Sequence, residues 1–183
     1  QANGKAYKRS DSASEDSVSA KTINGKKYAF DDEGRMLFGW VSGGERETDD
    51  DAWKECLYYF GDEDDGAMSL GWRLISIVDD EYEDLQPGDD YWDEDQDRWF
   101  YFQTSGKKIT ADTDNDKTIK TKTINGQKYG FDEYGRMVAG WFTDAASYSS
   151  ATQGVASYSN SFMYFSNPED GARYTKGWFK VVP

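Results

Sequence analysis

The segment Lys21–Trp40, KTINGKKYAFDDEGRMLFGW, returns almost intact as Lys122–Trp141, KTINGQKYGFDEYGRMVAGW. A looser version follows each copy: CLYYFGDEDDGAMSLGW (Cys56–Trp72) after the first and SFMYFSNPEDGARYTKGW (Ser161–Trp178) after the second. Recurrence at this spacing marks a repeat architecture. Asn24-Gly25 predicts a two-residue type I′ turn, since both central positions need positive φ. Beyond it Tyr28 and Phe30 alternate, as on one face of a strand. Asp31-Asp32-Glu33-Gly34 is polar and ends in glycine, which suits a hairpin loop. Met36, Phe38 and Trp40 share parity and are expected to form the return strand. The apolar face of this hairpin is then Tyr28, Phe30, Met36, Phe38 and Trp40, with Lys27, Ala29, Arg35 and Leu37 on a mostly polar opposite face.

A lone hairpin is marginal in water. Its aromatic face needs a cover, and the nearest cover is the next hairpin. The expected fold is therefore all-β: stacked β-hairpin repeats forming a solenoid, each unit touching mainly its neighbours. Burying one large aromatic is worth roughly 2–3 kcal/mol, so a few interlocked rings per unit suffice without a globular core.

The same order of segments occurs twice, giving two expected blocks, 1–102 and 103–183. Gln1-Ala2-Asn3-Gly4-Lys5-Ala6 aligns with Gln103-Thr104-Ser105-Gly106-Lys107-Lys108, but only the latter follows a strand-like run, Trp99–Phe102. The first block is thus expected to begin inside a repeat of a longer protein. Tyr7–Ala20 and its counterpart Ile109–Thr121 read as connectors. Val41–Glu55 is an acidic insertion with a short helical turn expected in Thr48–Glu55. Arg73–Val78 reads as a strand and the acidic Asp79–Asp97, with Pro87-Gly88, as a loop. Phe142–Asn160 is the second block's insertion, and Phe179–Val182 matches the start of the Arg73 strand.

Four Gly-Trp pairs, at Trp40, Trp72, Trp141 and Trp178, each lie downstream of aromatic residues and a Gly turn. The pattern Tyr28, Phe30, Gly34, Met36, Gly39, Trp40 recurs as Tyr58-Tyr59-Phe60 with Gly66, Met68, Gly71, Trp72, as Tyr129, Phe131, Gly135, Met137, Gly140, Trp141, and as Tyr164-Phe165 with Gly171, Gly177, Trp178. This resembles the cell-wall-binding repeats of bacterial surface proteins: choline-binding modules, glucan-binding repeats and the oligosaccharide-binding repeats of clostridial toxins. The resemblance implies a module of a secreted, cell-surface protein of a Gram-positive or related bacterium.

Among 183 residues, 21 are basic, 35 acidic and none is histidine, for a net charge of −14. Nucleic acid and anionic membrane need a basic footprint, so neither is an expected partner. No apolar run reaches membrane-spanning length, and Gln1-Ala2-Asn3-Gly4-Lys5 holds no apolar core of the signal-peptide type. Cys56 is the single cysteine, which excludes a disulfide framework; a buried thiol beside Leu57 and Tyr58 is expected.

Without histidine, Ser-His and Cys-His catalysis is excluded, and no phosphate-binding glycine loop opens a helix. The carboxylates cluster in loops, as solvated turns do, so no catalytic residue is assigned. Asp112-Thr113-Asp114-Asn115-Asp116 imitates the start of a calcium loop, but Lys117 and Thr123 stand where Gly and Glu are required. Asp62–Asp65 and Asp89–Asp97 read as solvated acidic loops; no metal and no cofactor is expected.

The remaining chemistry is aromatic. The candidate ligand-stacking residues are Trp40, Tyr59, Trp72, Trp99, Tyr101, Trp141, Tyr164 and Trp178. In the choline-binding relatives the ligand sits between successive hairpins in a cage of rings. The resemblance places Trp99 on one such wall, but the equivalent positions hold Lys27, Leu57, Lys128 and Phe162. A lysine wall repels a quaternary ammonium, whereas stacking on a sugar needs only one flat ring. The expected partners are a cell-wall polysaccharide, teichoic-acid choline or a glucan. Each Gly-Trp indole is a ligand wall, packing between repeats, or both, since one ring can bury one face and offer the other. The alternative function is a spacer or protein-interaction module presenting Val41–Glu55 and Asp79–Asp97 to a protein partner.

Overall fold

A computed structural model describes residues 5–9, 18–78, 96–112, 114, 118–143 and 162–178. Asp79–Asp95 of the expected loop, most of the Phe142–Asn160 insertion, most of Asp112–Asp116, most of the Tyr7–Ala20 connector and Phe179–Val182 lie outside the described residues; Gln96 and Asp97, read as the end of that loop, open a strand instead. Among the described residues the structure is nearly all β. Its strands are β1 (Ala20–Ile23), β2 (Lys26–Ala29), β3 (Gly39–Ser42), β4 (Glu45–Arg46), β5 (Tyr58–Phe60), β6 (Gly71–Ile77), β7 (Gln96–Phe102), β8 (Lys120–Ile124), β9 (Gln127–Phe131), β10 (Gly140–Thr143) and β11 (Phe162–Phe165). One short helix, α1 (Ala52–Glu55), falls within the helical turn expected at Thr48–Glu55, and β6 covers most of the strand expected at Arg73–Val78. No described helix is long and apolar enough to cross a membrane.

The chain divides into two compact units. One comprises 1–97 and 101–108, the other 98–100 and 109–183, so β7 carries residues of both. Small antiparallel sheets run through them: β1–β2, β4–β3–β5, β6–β7, β8–β9 and β10–β11.

Both Asn-Gly turns take the expected form. Asn24 and Gly25 have φ of 49° and 81°, and Asn125 and Gly126 repeat this at 49° and 84°. The turn joins β1 to β2 in the register Ile23↔Lys26 and β8 to β9 in the register Ile124↔Gln127.

The second half of the expected hairpin is different. After its polar turn the Tyr28–Phe30 run meets the returning chain only at an isolated bridge, Phe30↔Met36. The Gly-Trp strand does not continue that pairing. Instead β3 pairs with the following β5, placing Gly39 opposite Phe60, Trp40 opposite Tyr59 and Val41 opposite Tyr58. The cause is Gly39, whose φ of 70° turns the chain between the bridge and the strand, a conformation costly for any residue with a Cβ. In the first unit the insertion, with β4 and α1, therefore connects the paired strands β3 and β5.

The turn also changes which face is buried. In the first unit the core holds Ala29, Leu37, Val41, Tyr58, Phe60 and Met68. Ala29 and Leu37, read from parity as part of a polar face, are buried, while Tyr28, Phe30, Met36, Phe38 and Trp40 are only partly so. In the second unit Ile119, Val138 and Phe165 are buried together, with Phe142 and Met163 against them.

Within each unit the segment after a polar turn reaches back to the preceding repeat. In the first unit, Met68 N donates to Lys27 O and Lys108 N to Leu57 O, both at 2.8 Å. In the second, Met137 N donates to Trp99 O and Arg173 N to Lys128 O, again at 2.8 Å. Side chains follow the same route. A Cβ on Gly66 would lie 2.5 Å from Met36 Cε; one on Gly106 would overlap Met68 Sδ, and one on Gly171 would overlap Met137 Sδ. The turn glycine thus has two functions: a positive φ, and a notch for the previous repeat's methionine.

The turns themselves are locked by a carboxylate. Asp31 Oδ1 accepts from the N–H groups of Glu33 and Arg35, at 3.0 and 2.8 Å, while Oδ2 accepts from Arg35 Nε at 2.6 Å. Asp132 repeats this with Tyr134 and Arg136. In the longer turns Asp62 and Asn167 take over the N–H-accepting role. Asp65 pairs with Lys26 at 3.0 Å, so Asp62–Asp65 is a hydrogen-bonded turn.

Candidate ligand-binding aromatic pairs

Cross-strand pairing assembles the predicted residues two at a time. Trp40 on β3 meets Tyr59 on β5, ring centroids 5.0 Å apart. Trp72 on β6 meets Tyr101 on β7 at 5.2 Å. Trp141 on β10 meets Tyr164 on β11 at 5.0 Å, directly opposite in the register. Each contact is edge-on or tilted, the arrangement favoured by the ring quadrupoles. This explains why the middle position of the aromatic triplet is Tyr at 59, 101 and 164 but Ala29 or Gly130 elsewhere. Those two lie opposite Ala20 and Thr121 and have no indole to meet. At Gly130 a Cβ would stand 2.7 Å from Val138 and 2.8 Å from Phe165.

The pairs differ in what surrounds them. Around Trp40, Phe102 closes in at 6.2 Å from the indole and 6.5 Å from Tyr59. The ammonium of Lys108 lies 5.2 Å from the Trp40 ring centroid. Trp141 instead is 50% exposed. Its partner Tyr164 touches Tyr174 at 5.8 Å, and Tyr174 is 46% exposed, so three rings form an open shelf. Tyr174 also lines an open polar cleft of about 570 Å³ with Thr123, Gln127, Lys128, Asp170 and Arg173. Trp178 is fully exposed. Trp99 is half-buried on β7, and its carbonyl takes the bond from Met137.

Besides Phe102 and the polar lining of the cleft, two residues of these sites were not read from the sequence, Tyr174 and Lys108. Both carry a signal. Tyr174 stands where Leu37, Ser69, Ile109 and Val138 stand in other repeats, and Lys108 where Met36, Met68, Met137 and Arg173 stand.

The Val41–Glu55 insertion is partly internal. Trp53 is buried and donates from Nε1 to Val78 O at 2.7 Å. Cys56 is buried as expected; desolvation, with Glu47 and Glu55 nearby, pushes its thiol up to about 11, against the opposing effect of Lys108. Among the described residues no group of three or more Cys, Asp or Glu side chains is placed to hold a metal.

This arrangement of strands is found in solved structures. Choline binding protein F of Streptococcus pneumoniae, in the presence of a peptidoglycan analogue, superposes with a TM-score of 0.52 at 19% identity. The match covers 90% of this chain and 36% of that one. The chain has the choline-binding-protein fold. CbpJ of the same organism gives a TM-score of 0.50 at 19% identity, over 90% of this chain and 38% of that one. The chain therefore spans little more than a third of the choline-binding structures it matches. No family model and no curated protein matches the sequence.

Proposed function

We propose that this chain is a non-catalytic cell-wall or carbohydrate-binding repeat module of a secreted bacterial surface protein, holding its polymer by aromatic stacking. The observation that carries this is the open shelf of Trp141, Tyr164 and Tyr174 beside the polar cleft. A flat, half-exposed ring bounded by hydroxyls, an amide and a carboxylate suits a sugar, which offers an apolar face and a rim of hydroxyls. Lys128 and Arg173 in the same cleft oppose a quaternary ammonium there, so polysaccharide is favoured over choline at this site. Weak stacking repeated along one chain gains avidity on a polymer. The hairpins within each unit are read as stacked in solenoid fashion, supported by the N–H bonds and Met–Gly contacts between successive repeats.

The spacer alternative is favoured at one place only, the Trp40 pair, where the rings are covered from within. Co-sedimentation of the full chain with insoluble peptidoglycan and with glucan tests the proposal. Wild type should sediment with at least one of them, and Trp141→Ala/Tyr174→Ala should bind about tenfold more weakly, the equivalent of ~1.4 kcal/mol. Retention of neither would leave the spacer reading standing, and equal retention of wild type and variant would remove the Trp141–Tyr174 shelf as the binding surface.

A further inference from the structure

Lys108 is 3% exposed, and a buried ammonium is retained only where its charge is met. Two of its partners are the carbonyls of Trp53 and, at 3.1 Å, Lys54. These belong to the last turn of α1, where carbonyls have no partner within the helix. A further contact is the indole of Trp40, whose ring centroid lies 5.2 Å from Nζ. Tyr59 and Phe102 lie against that indole. A cation against tryptophan, with further rings around it, is the way proteins hold methylated ammonium ions. The residue at this bridge position is Met at 36, 68 and 137 and Arg at 173, so the ammonium beside Trp40 comes from an exchange of Met for Lys in this repeat.

We propose that the Trp40–Tyr59–Phe102 cluster is a cation site filled from within by Lys108, which closes this repeat to ammonium ligands from solution. Lys108 is the specificity-determining residue of the pair: with it in place the rings hold α1 onto the sheet, and without it they present a vacant aromatic wall. This inference is independent of the carbohydrate reading, because its first readout is Lys108 itself.

In the NMR spectrum of the full chain, the Lys108 ε-methylene protons should lie upfield of those of the other lysines through the ring current of Trp40. The shift should vanish in Trp40→Leu. In Lys108→Met, which installs the residue of the sister repeats, choline chloride should perturb tryptophan fluorescence with a half-saturation about tenfold below that of wild type, the scale of one cation–π contact. Adding Trp40→Leu should abolish that gain. A Lys108 signal at the ordinary lysine position in folded wild type would overturn the proposal, and if Lys108→Met does not fold, that spectrum decides alone. A choline response unchanged between wild type and a folded Lys108→Met would overturn it as well.

Discussion

Gly66→Ala separates two costs that a turn glycine combines. Gly66 has φ of 55°, and an alanine in the left-handed region costs ~1–2 kcal/mol. Its new Cβ would also lie 2.5 Å from Met36 Cε and 2.6 Å from Met36 Sδ, and forcing atoms into an occupied space costs a further ~1–3 kcal/mol. The combined loss is about 2–5 kcal/mol. Gly25→Ala is the control, because Gly25 has φ of 81° and nothing within 4 Å of its Cβ position; it should lose only the conformational part. Urea denaturation of both variants, of Met36→Ala and of the Gly66→Ala/Met36→Ala double variant closes a cycle. The double variant should recover most of the overpacking cost. Equal losses for Gly25→Ala and Gly66→Ala, with no coupling to Met36, would refute the idea that the methionine of one repeat seats in the turn of the next.

Gly130→Ala should lose ~1–3 kcal/mol from overpacking, since its Cβ would meet Val138 and Phe165; chemical denaturation measures it. The Cys56 thiol, pushed up to about 11 mainly by burial, should react slowly with a thiol reagent at pH 8 until denaturant is added. Because its folded value is raised, its stabilising contribution is present below the free thiol value of ~8.5 and is lost as pH rises toward 11; Cys56→Ala should flatten stability over that window. Asp31 is held below the usual carboxylate range, chiefly by its hydrogen bond from Arg35. Its contribution is therefore present above the free carboxylate value and lost as pH falls through the lowered one, so Asp31→Asn should be less stable at neutral pH and show a shallower acid transition by fluorescence.

The local turn chemistry was legible in the sequence because it is local. Asn24-Gly25 and Asn125-Gly126 specify their own φ values, and the Gly-Trp and Tyr-Tyr-Phe runs announce strands. What parity could not show was the partner of each strand. Counting Met36, Phe38 and Trp40 onto one face assumes an unbroken strand, and Gly39 turns the chain within it. The glycine before each tryptophan was visible, but its consequence is that Trp40 faces Tyr59 in the next repeat. That also explains why Ala29 and Leu37 are buried. The aromatic sites were legible as residues and not as environments. The same Trp–Tyr pair is covered at Trp40 and open at Trp141, and the difference comes from Lys108 and Tyr174, at positions where most repeats carry an ordinary apolar side chain.

The most direct measurement is a titration of the indole N–H resonances of the full chain with solubilised peptidoglycan fragments. The Trp141 resonance should move in a saturable way while that of Trp40, covered by Phe102 and Lys108, stays in place. A Trp40 resonance that moves as far as that of Trp141, or a Trp141 resonance that stays still while the fragments bind, would contradict a ligand surface built on the open pair.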